Sequence, residues 1–253
     1  MASTQPWLSV VIPAYNEEKR LPGTLEQVLA YLEGQPYDSE LLVVDDGSED
    51  GTAQVVEAMA AQHPRLRLIR NPHRGKGYTV RTGMLAGRGR YILFSDADLA
   101  TPIDEEQKLL AHLQSSYHVA IGSREGLGAK RLDEPWFRHF IGRAFNLLVR
   151  LVAVGGFHDT QCGFKAFRHE AAQAIFGALR LYGDDAPEVK GGAVTAFDVE
   201  VLFLALKKGY KVIEVPVVWR YGQESKVNPA RDAIRMFRDV LGVRWNDWHG
   251  LYG

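Results

Sequence analysis

Cysteine is almost missing from this chain: the one residue, Cys162, can form no intrachain disulfide. A disulfide-stapled secreted domain is therefore excluded, and a reducing compartment is expected. Long apolar runs are missing too. None reaches the roughly 18 to 20 residues of a spanning helix, and residues 1–7 lack a basic start followed by an apolar stretch, so no signal peptide is read there. Work at a membrane, if any, is expected on its surface. Net charge is nearly absent, 30 Lys+Arg against 31 Asp+Glu giving −1, so no global field selects nucleic acid as a partner. Neither internal repeats nor linker-like shifts in composition appear, which predicts one domain over 1–253. At 253 residues, 46% hydrophobic and 24% charged, the chain is long enough for a sizeable core.

The N-terminal half alternates apolar runs with polar turns and helical patterns. Leu8–Ile12 is a β-branched run stopped by Pro13, and Asn16-Glu17-Glu18 opens a helical pattern carrying Leu21, Leu25, Val28, Leu29 and Leu32. Leu41–Val44 ends in Asp45-Asp46-Gly47-Ser48 before a helix over 52–61. Leu66–Arg70 leads into Asn71-Pro72-His73-Arg74-Gly75-Lys76-Gly77 and a helix over 78–86. Tyr91–Phe94 ends in Ser95-Asp96-Ala97-Asp98. Four strands, each followed by a polar turn and a helix, argue for right-handed βαβ crossovers and an α/β fold with a mostly parallel sheet flanked by helices. Beyond a short strand at 119–124 the rhythm changes. A long helix is expected over 135–154, a strand near Phe167, a mobile acidic loop over 184–192, a helix over 197–208 with Asp198 as N-cap and Gly209 as its stop, an edge strand over 212–218 because of Pro216, and a last helix from Pro229.

The turns at the strand ends carry the chemistry. Asp96 and Asp98, spaced i, i+2 at the C-terminal edge of a buried strand, can share a hard divalent cation and leave coordination for phosphate oxygens. Pro13 and Tyr15 place a rigid turn and a ring where a base could stack. Asp45 can accept from a base N–H or a ribose hydroxyl, and Lys76, flanked by glycines before a helix, suits a diphosphate. Each has a bland alternative: Asn16 as a helix cap, Asp-Gly as a plain turn, Lys76 as a solvated side chain. Parallel neighbours bring all four turns to one rim, and together they describe a nucleotide diphosphate held through a cation.

In this order and spacing, SVVIPAYNEE, VDDGSEDGT, the Lys76 loop and SDADLATP resemble family 2 of the inverting glycosyltransferases, which have the Rossmann-like GT-A fold. GSR at 122–124, DTQCGFKAF at 159–167, FDVEVL at 197–202 and the loop Ser225-Lys226-Val227 resemble its polyprenyl-phosphate branch, most nearly the dolichyl-phosphate β-glucosyltransferases. The resemblance implies a donor site of Pro13, Tyr15, Glu17, Asp45, Lys76, Asp96, Ala97 and Lys226 in a nucleotide-sugar-binding half (1–124), with Mg²⁺ or Mn²⁺ on Asp96 and Asp98. It implies an acceptor half (125–253), with Arg138 in it and Arg124 at its border holding the phosphate of a polyprenyl or dolichyl acceptor. The glutamine that also ligates metal in mannose synthases is Ala100 here, a departure that favours glucose as the sugar.

A phosphate acceptor needs no general base, because its second pKa of roughly 6 leaves it ionised at pH 7. A hydroxyl on a soluble glycan or small molecule would need one, and Asp198 or Glu200 is then the candidate, against helix capping as the alternative. Asp98 and Glu200 are accordingly the expected catalytic carboxylates. The helices over 135–154 and from 229 are amphipathic: Phe137, Phe140, Ile141, Leu148 and Leu151 oppose Arg143 and Arg150, and Phe237, Val240 and Leu241 oppose Arg235 and Arg238. Trp245, Trp248 and Tyr252 follow as interface anchors, so a peripheral position on the cytoplasmic face of a membrane is expected.

Overall fold

The computed structural model describes residues 5–132, 154–191, 196–221 and 229–252. The expected helix over 135–154, but for Val154, lies outside the described residues, as do Arg138 and Lys226.

β1 (Leu8–Ala14), β2 (Ser39–Asp45), β3 (Leu66–Arg70) and β4 (Tyr91–Ser95) alternate with α1 (Leu21–Glu33), α2 (Thr52–Ala60) and α3 (Lys76–Ala86). α4 (Glu106–Gln114), entered through a 3₁₀ turn after Pro102, leads to β5 (Val119–Ser123). After β6 (Lys130–Leu132) come β7 (Phe164–Arg168), α5 (His169–Phe176), α6 (Phe197–Lys207), β8 (Val212–Pro216), β9 (Val218–Arg220) and α7 (Pro229–Trp248). The main sheet runs β3-β2-β1-β4-β7-β5-β8, and β6 pairs with β9 separately. Its pairings are parallel except at β7, which runs antiparallel to both β4 and β5. The mostly parallel α/β architecture is as expected.

Alternation along the strands buries both faces. Val11, Leu42, Val44, Ile92 and Phe94 face α3, α5 and α6, whereas Val10, Ile12, Leu41, Val43 and Leu93 face α1 and α4. Pro13 lies inside β1 rather than ending it. Pairing with β4 stops at Val11 while pairing with β2 continues to Ala14, so the missing N–H falls where one neighbour has already left. Pro216 closes edge strand β8, and Gly209, at φ +77°, ends α6 in the left-handed region.

Two expected caps are not formed. α1 starts at Leu21, and Asn16 stands before it at φ +53°, its side chain accepting from the Glu49 N–H at 2.9 Å. α6 starts at Phe197 with no side-chain cap, so Asp198 sits inside its first turn and is free to bond elsewhere.

Candidate active site

Hydrogen bonding continues past the strand ends and aligns the turns. Asp46 N–H donates to Ala14 O at 2.9 Å, and Asn71 N–H to Asp45 O at 2.8 Å. From β3 to β4 the rim therefore reads as the His73–Lys76 loop, Asp45-Asp46, Pro13–Tyr15 and Asp96–Asp98. β7 begins where β4 ends, with Ser95 opposite Phe164, which sets Gly163 against Asp96. Asp96 N–H donates to Gly163 O at 3.1 Å, and a Cβ at position 163 would fall 2.0 Å from Asp96 Oδ2. Only glycine leaves room for this carboxylate.

Asp98 accepts from the Ala100 N–H at 3.0 Å, and Leu99 between them is held at φ +46°, a conformation uncommon for a branched side chain. Burial, and then the charge of Asp96, push the Asp98 carboxyl above its usual range. Lys76 Nζ lies 2.6 Å from Asp96 Oδ1. Burial opposes its charge, yet Asp96, Asp198 and Asp98 together hold the ammonium above its ordinary pKa. The position of Lys76 follows from packing. At Gly77 a Cβ would lie 2.5 Å from the Tyr182 ring and 2.8 Å from Phe197 Cβ, so α3 starts pressed against the start of α6, where Asp198 stands.

Asp198 belongs to the same charge cluster. Fully buried Lys165 donates to Asp198 Oδ1 and to Cys162 O, each at 2.5 Å, while burial pushes the Asp198 carboxyl upward against the pull of Lys165 and Lys76. Glu200 does not join it. Two residues on, about 200° around the helix, its Oε1 accepts from Arg180 N–H at 2.7 Å, Leu181 N–H at 3.0 Å and the Tyr252 hydroxyl at 2.7 Å. Oε1 of Glu200 thus ties the 180 loop to the C-terminal tail, apart from the Asp96–Asp98 cluster. Tyr252, expected at a membrane interface, is buried with it.

Farther along the rim, Tyr15 stacks on His73 at 4.0 Å between ring centroids, 3° from parallel. Asp46 organises the loop beyond, accepting from His73 Nδ1 at 2.8 Å and from the N–H groups of Arg74 and Gly75, each at 2.9 Å. Asp45 is buried and accepts from Ser48 N–H at 3.3 Å, Glu17 pairs with Arg20 at 2.8 Å, and buried Ala97 accepts from Thr24 Oγ1 at 2.6 Å through its carbonyl. The acidic loop after α5 is pinned over its described part rather than loose: Asp184 pairs with Arg81 at 2.7 Å, and Val189 N–H donates to His73 O at 2.9 Å.

Arg124, at the end of β5, forms a two-pronged pair with buried Asp159, Nε–Oδ2 2.7 Å and Nη2–Oδ1 2.8 Å, and stacks over Trp219 at 5.3 Å. Burial works against that carboxylate, yet the guanidinium holds its pKa down at about 2. Cys162 is buried beside Thr101, and burial raises its thiol to about 11, an inert residue.

Asp46, His73, Asp159, Gly163 and Lys165 were not singled out from sequence as site residues. Asp46 and His73 lie within the polar turns after β2 and β3, and Gly163 and Lys165 within GFK, so a signal exists; which neighbour Gly163 meets depends on the antiparallel insertion of β7.

Three carboxylates, Asp96, Asp98 and Asp198, face two lysines, Lys76 and Lys165, which leaves excess negative charge beside a cradle that only Gly163 permits. Hard oxygen ligands with surplus negative charge suit a divalent cation whose other ligands come from a bound diphosphate and water. Among the described residues no cluster of three acidic, histidine or cysteine side chains is arranged to hold a metal unaided.

The profile of glycosyl transferase family 2 matches residues 9–176. The chain is 40% identical over 253 residues to dolichyl-phosphate beta-glucosyltransferase of Drosophila melanogaster, covering 93% of this chain and 74% of that protein. To the Homo sapiens protein of the same name it is 36% identical over 254 residues, covering 94% and 74%. Glucosyl-3-phosphoglycerate synthase from Mycobacterium tuberculosis, solved with Mn²⁺, UDP-glucose and phosphoglyceric acid, superposes with a TM-score of 0.62 at 16% identity, over 95% of this chain and 79% of that one. These likenesses agree with the GT-A architecture.

Proposed function

This chain belongs to glycosyl transferase family 2, and from that premise we propose that it is a metal-dependent inverting hexosyltransferase that moves glucose from a nucleotide diphosphate to a dolichyl or related polyprenyl phosphate. The observation that carries the reading is the cluster Asp96–Asp98–Lys76 on the shared strand rim, in a chain 36% and 40% identical to proteins named dolichyl-phosphate beta-glucosyltransferase.

Asp96 and Asp98 would hold Mg²⁺ or Mn²⁺, which supplies positive charge against the diphosphate as it departs. Lys76, beside the same carboxylates, would add a cationic donor to the phosphates. Pro13, Tyr15, Glu17, Asp45 and Ala97 line the nucleoside side. Arg124, and Arg138 and Lys226 outside the described residues, complete the proposed acceptor and phosphate contacts. Asp159 fixes the Arg124 fork, so this arginine would orient an acceptor phosphate from a set position. An ionised phosphate attacks the sugar carbon without surrendering a proton, so alignment suffices. The commitment of Glu200 to Tyr252, and of Asp198 to Lys165, supports a phosphate acceptor over a hydroxyl.

No helix among the described residues is long and apolar enough to cross a membrane. Yet Phe237, Leu241, Trp245 and Trp248 form one exposed stripe on α7, with exposed Arg238 and Arg244 beside it. Exposed tryptophans flanked by arginines suit the headgroup layer. This stripe supports a peripheral seat on a membrane surface, where a lipid phosphate would be met; the cytoplasmic leaflet is part of the proposal. Calorimetric titration with UDP-glucose and GDP-mannose in Mn²⁺ tests the donor: tight binding of UDP-glucose alone is expected, and preference for GDP-mannose would overturn the choice of sugar.

A further inference from the structure

Asp96 Oδ1 has an internal cation on it: Lys76 Nζ at 2.6 Å. That oxygen also belongs to the pair assigned to the divalent cation, and an ammonium in contact with it and a metal ion bound to it repel each other at short range. Lys76 also feels Asp198 and Asp98, so its ammonium sits within the whole acidic cluster. Gly163 and the Asp96 N–H fix the aspartate from the other side, which leaves the lysine as the member able to move. Its side chain is the flexible one, four methylenes long and part-exposed at the first residue of α3, next to backbone N–H groups of a helix start.

We propose that Lys76 competes with the divalent cation for Asp96, so that metal and nucleotide diphosphate bind synergistically: the diphosphate draws Lys76 off the carboxylate and thereby opens it to the metal. This rests on the donor-site reading above. The cation alone must displace an ion pair and the nucleotide alone meets uncompensated carboxylates; together each removes the other's obstacle. By linkage the enhancement is reciprocal, and couplings of this kind run from about 5-fold to 150-fold.

Mn²⁺ binding is measured by electron paramagnetic resonance with and without UDP, for the wild type, Lys76→Gln, Lys76→Arg and Arg20→Gln. Arg20 pairs with Glu17 at 2.8 Å and adds positive charge near Asp98 without being the partner of Asp96 in the closest ion pair. In the wild type, UDP should tighten Mn²⁺ binding by about tenfold or more. Lys76→Gln should bind Mn²⁺ alone about tenfold more tightly than wild type and keep only the part of the UDP-dependent gain that direct ligation by the diphosphate supplies, whereas Lys76→Arg should keep most of the gain. Arg20→Gln should shift both Mn²⁺ affinities by the same factor and leave the gain intact. If Lys76→Gln keeps the full UDP-dependent gain, or Arg20→Gln loses it equally, the competition is refuted. Absence of Mn²⁺ binding in every protein, with or without UDP, overturns the donor-site reading itself.

Discussion

Asp198 and Glu200 differ in what their removal should do. Glu200→Gln keeps the shape but weakens three hydrogen bonds that converge on one oxygen. It should cost about 1–3 kcal/mol, read as a lower urea midpoint, while the transfer rate at a temperature where the variant is folded stays within about twofold, because nothing reactive is touched. Asp198→Ala strands the fully buried Lys165 and should cost about 3–5 kcal/mol. The acidic spacing in Phe197-Asp198-Val199-Glu200 was legible in sequence; which member faces the site was not, because the contact of Gly77 with Phe197 sets how α6 is turned. Asp159 gives a pH signature. Its folded pKa of about 2 lies below the 3.8 of the free side chain, so its contribution is present above pH 4 and is lost as pH falls toward 2. Roughly 2 kcal/mol should disappear across that window. Acid unfolding of the wild type against Asp159→Asn checks this: the variant should lack that part of the pH dependence.

Elements place these residues through close approaches. β4 carries Asp96 to the rim, but β7, entering antiparallel beside it, supplies Gly163 as the cradle. Gly163→Ala should push the Asp96 carboxylate aside, and a displacement of about 1 Å can cost 100-fold in rate. Transfer and UDP-dependent Mn²⁺ binding should fall together, with the thermal midpoint shifting by only a few degrees; unaltered transfer would show that Asp96 has room to spare. The strands β1 to β4 were readable because each is a continuous apolar run closed by a polar turn. β7 was seen as a strand, but its direction was not: four successive parallel units say nothing about a strand that returns after the long segment following β5. Asn16 and Asp198 were misread as caps for a related reason. Asn16 instead binds the Glu49 backbone across the rim, and Asp198 has a buried lysine as partner, a stronger attraction than a helix start and one made by residues distant in sequence.

Over the whole molecule, the parallel strands gather the residues proposed for donor, cation and acceptor onto one edge, and α7 turns an apolar stripe outward. Burying two tryptophans in a headgroup layer is worth several kcal/mol on an area basis. Replacing Trp245 and Trp248 with serine should therefore lower flotation with anionic liposomes by at least about tenfold, without altering turnover of a short-chain soluble acceptor. Equal flotation of both proteins would remove α7 from the membrane account. The most direct test of the central claim is transfer itself: UDP-[¹⁴C]glucose, Mn²⁺ and dolichyl phosphate, with product counted in the organic phase. The account predicts a glucosyl lipid formed by the wild type and reduced at least about 100-fold in Asp98→Asn. Consumption of the donor with no label in the lipid, or an Asp98→Asn variant that transfers at the full rate, would contradict it.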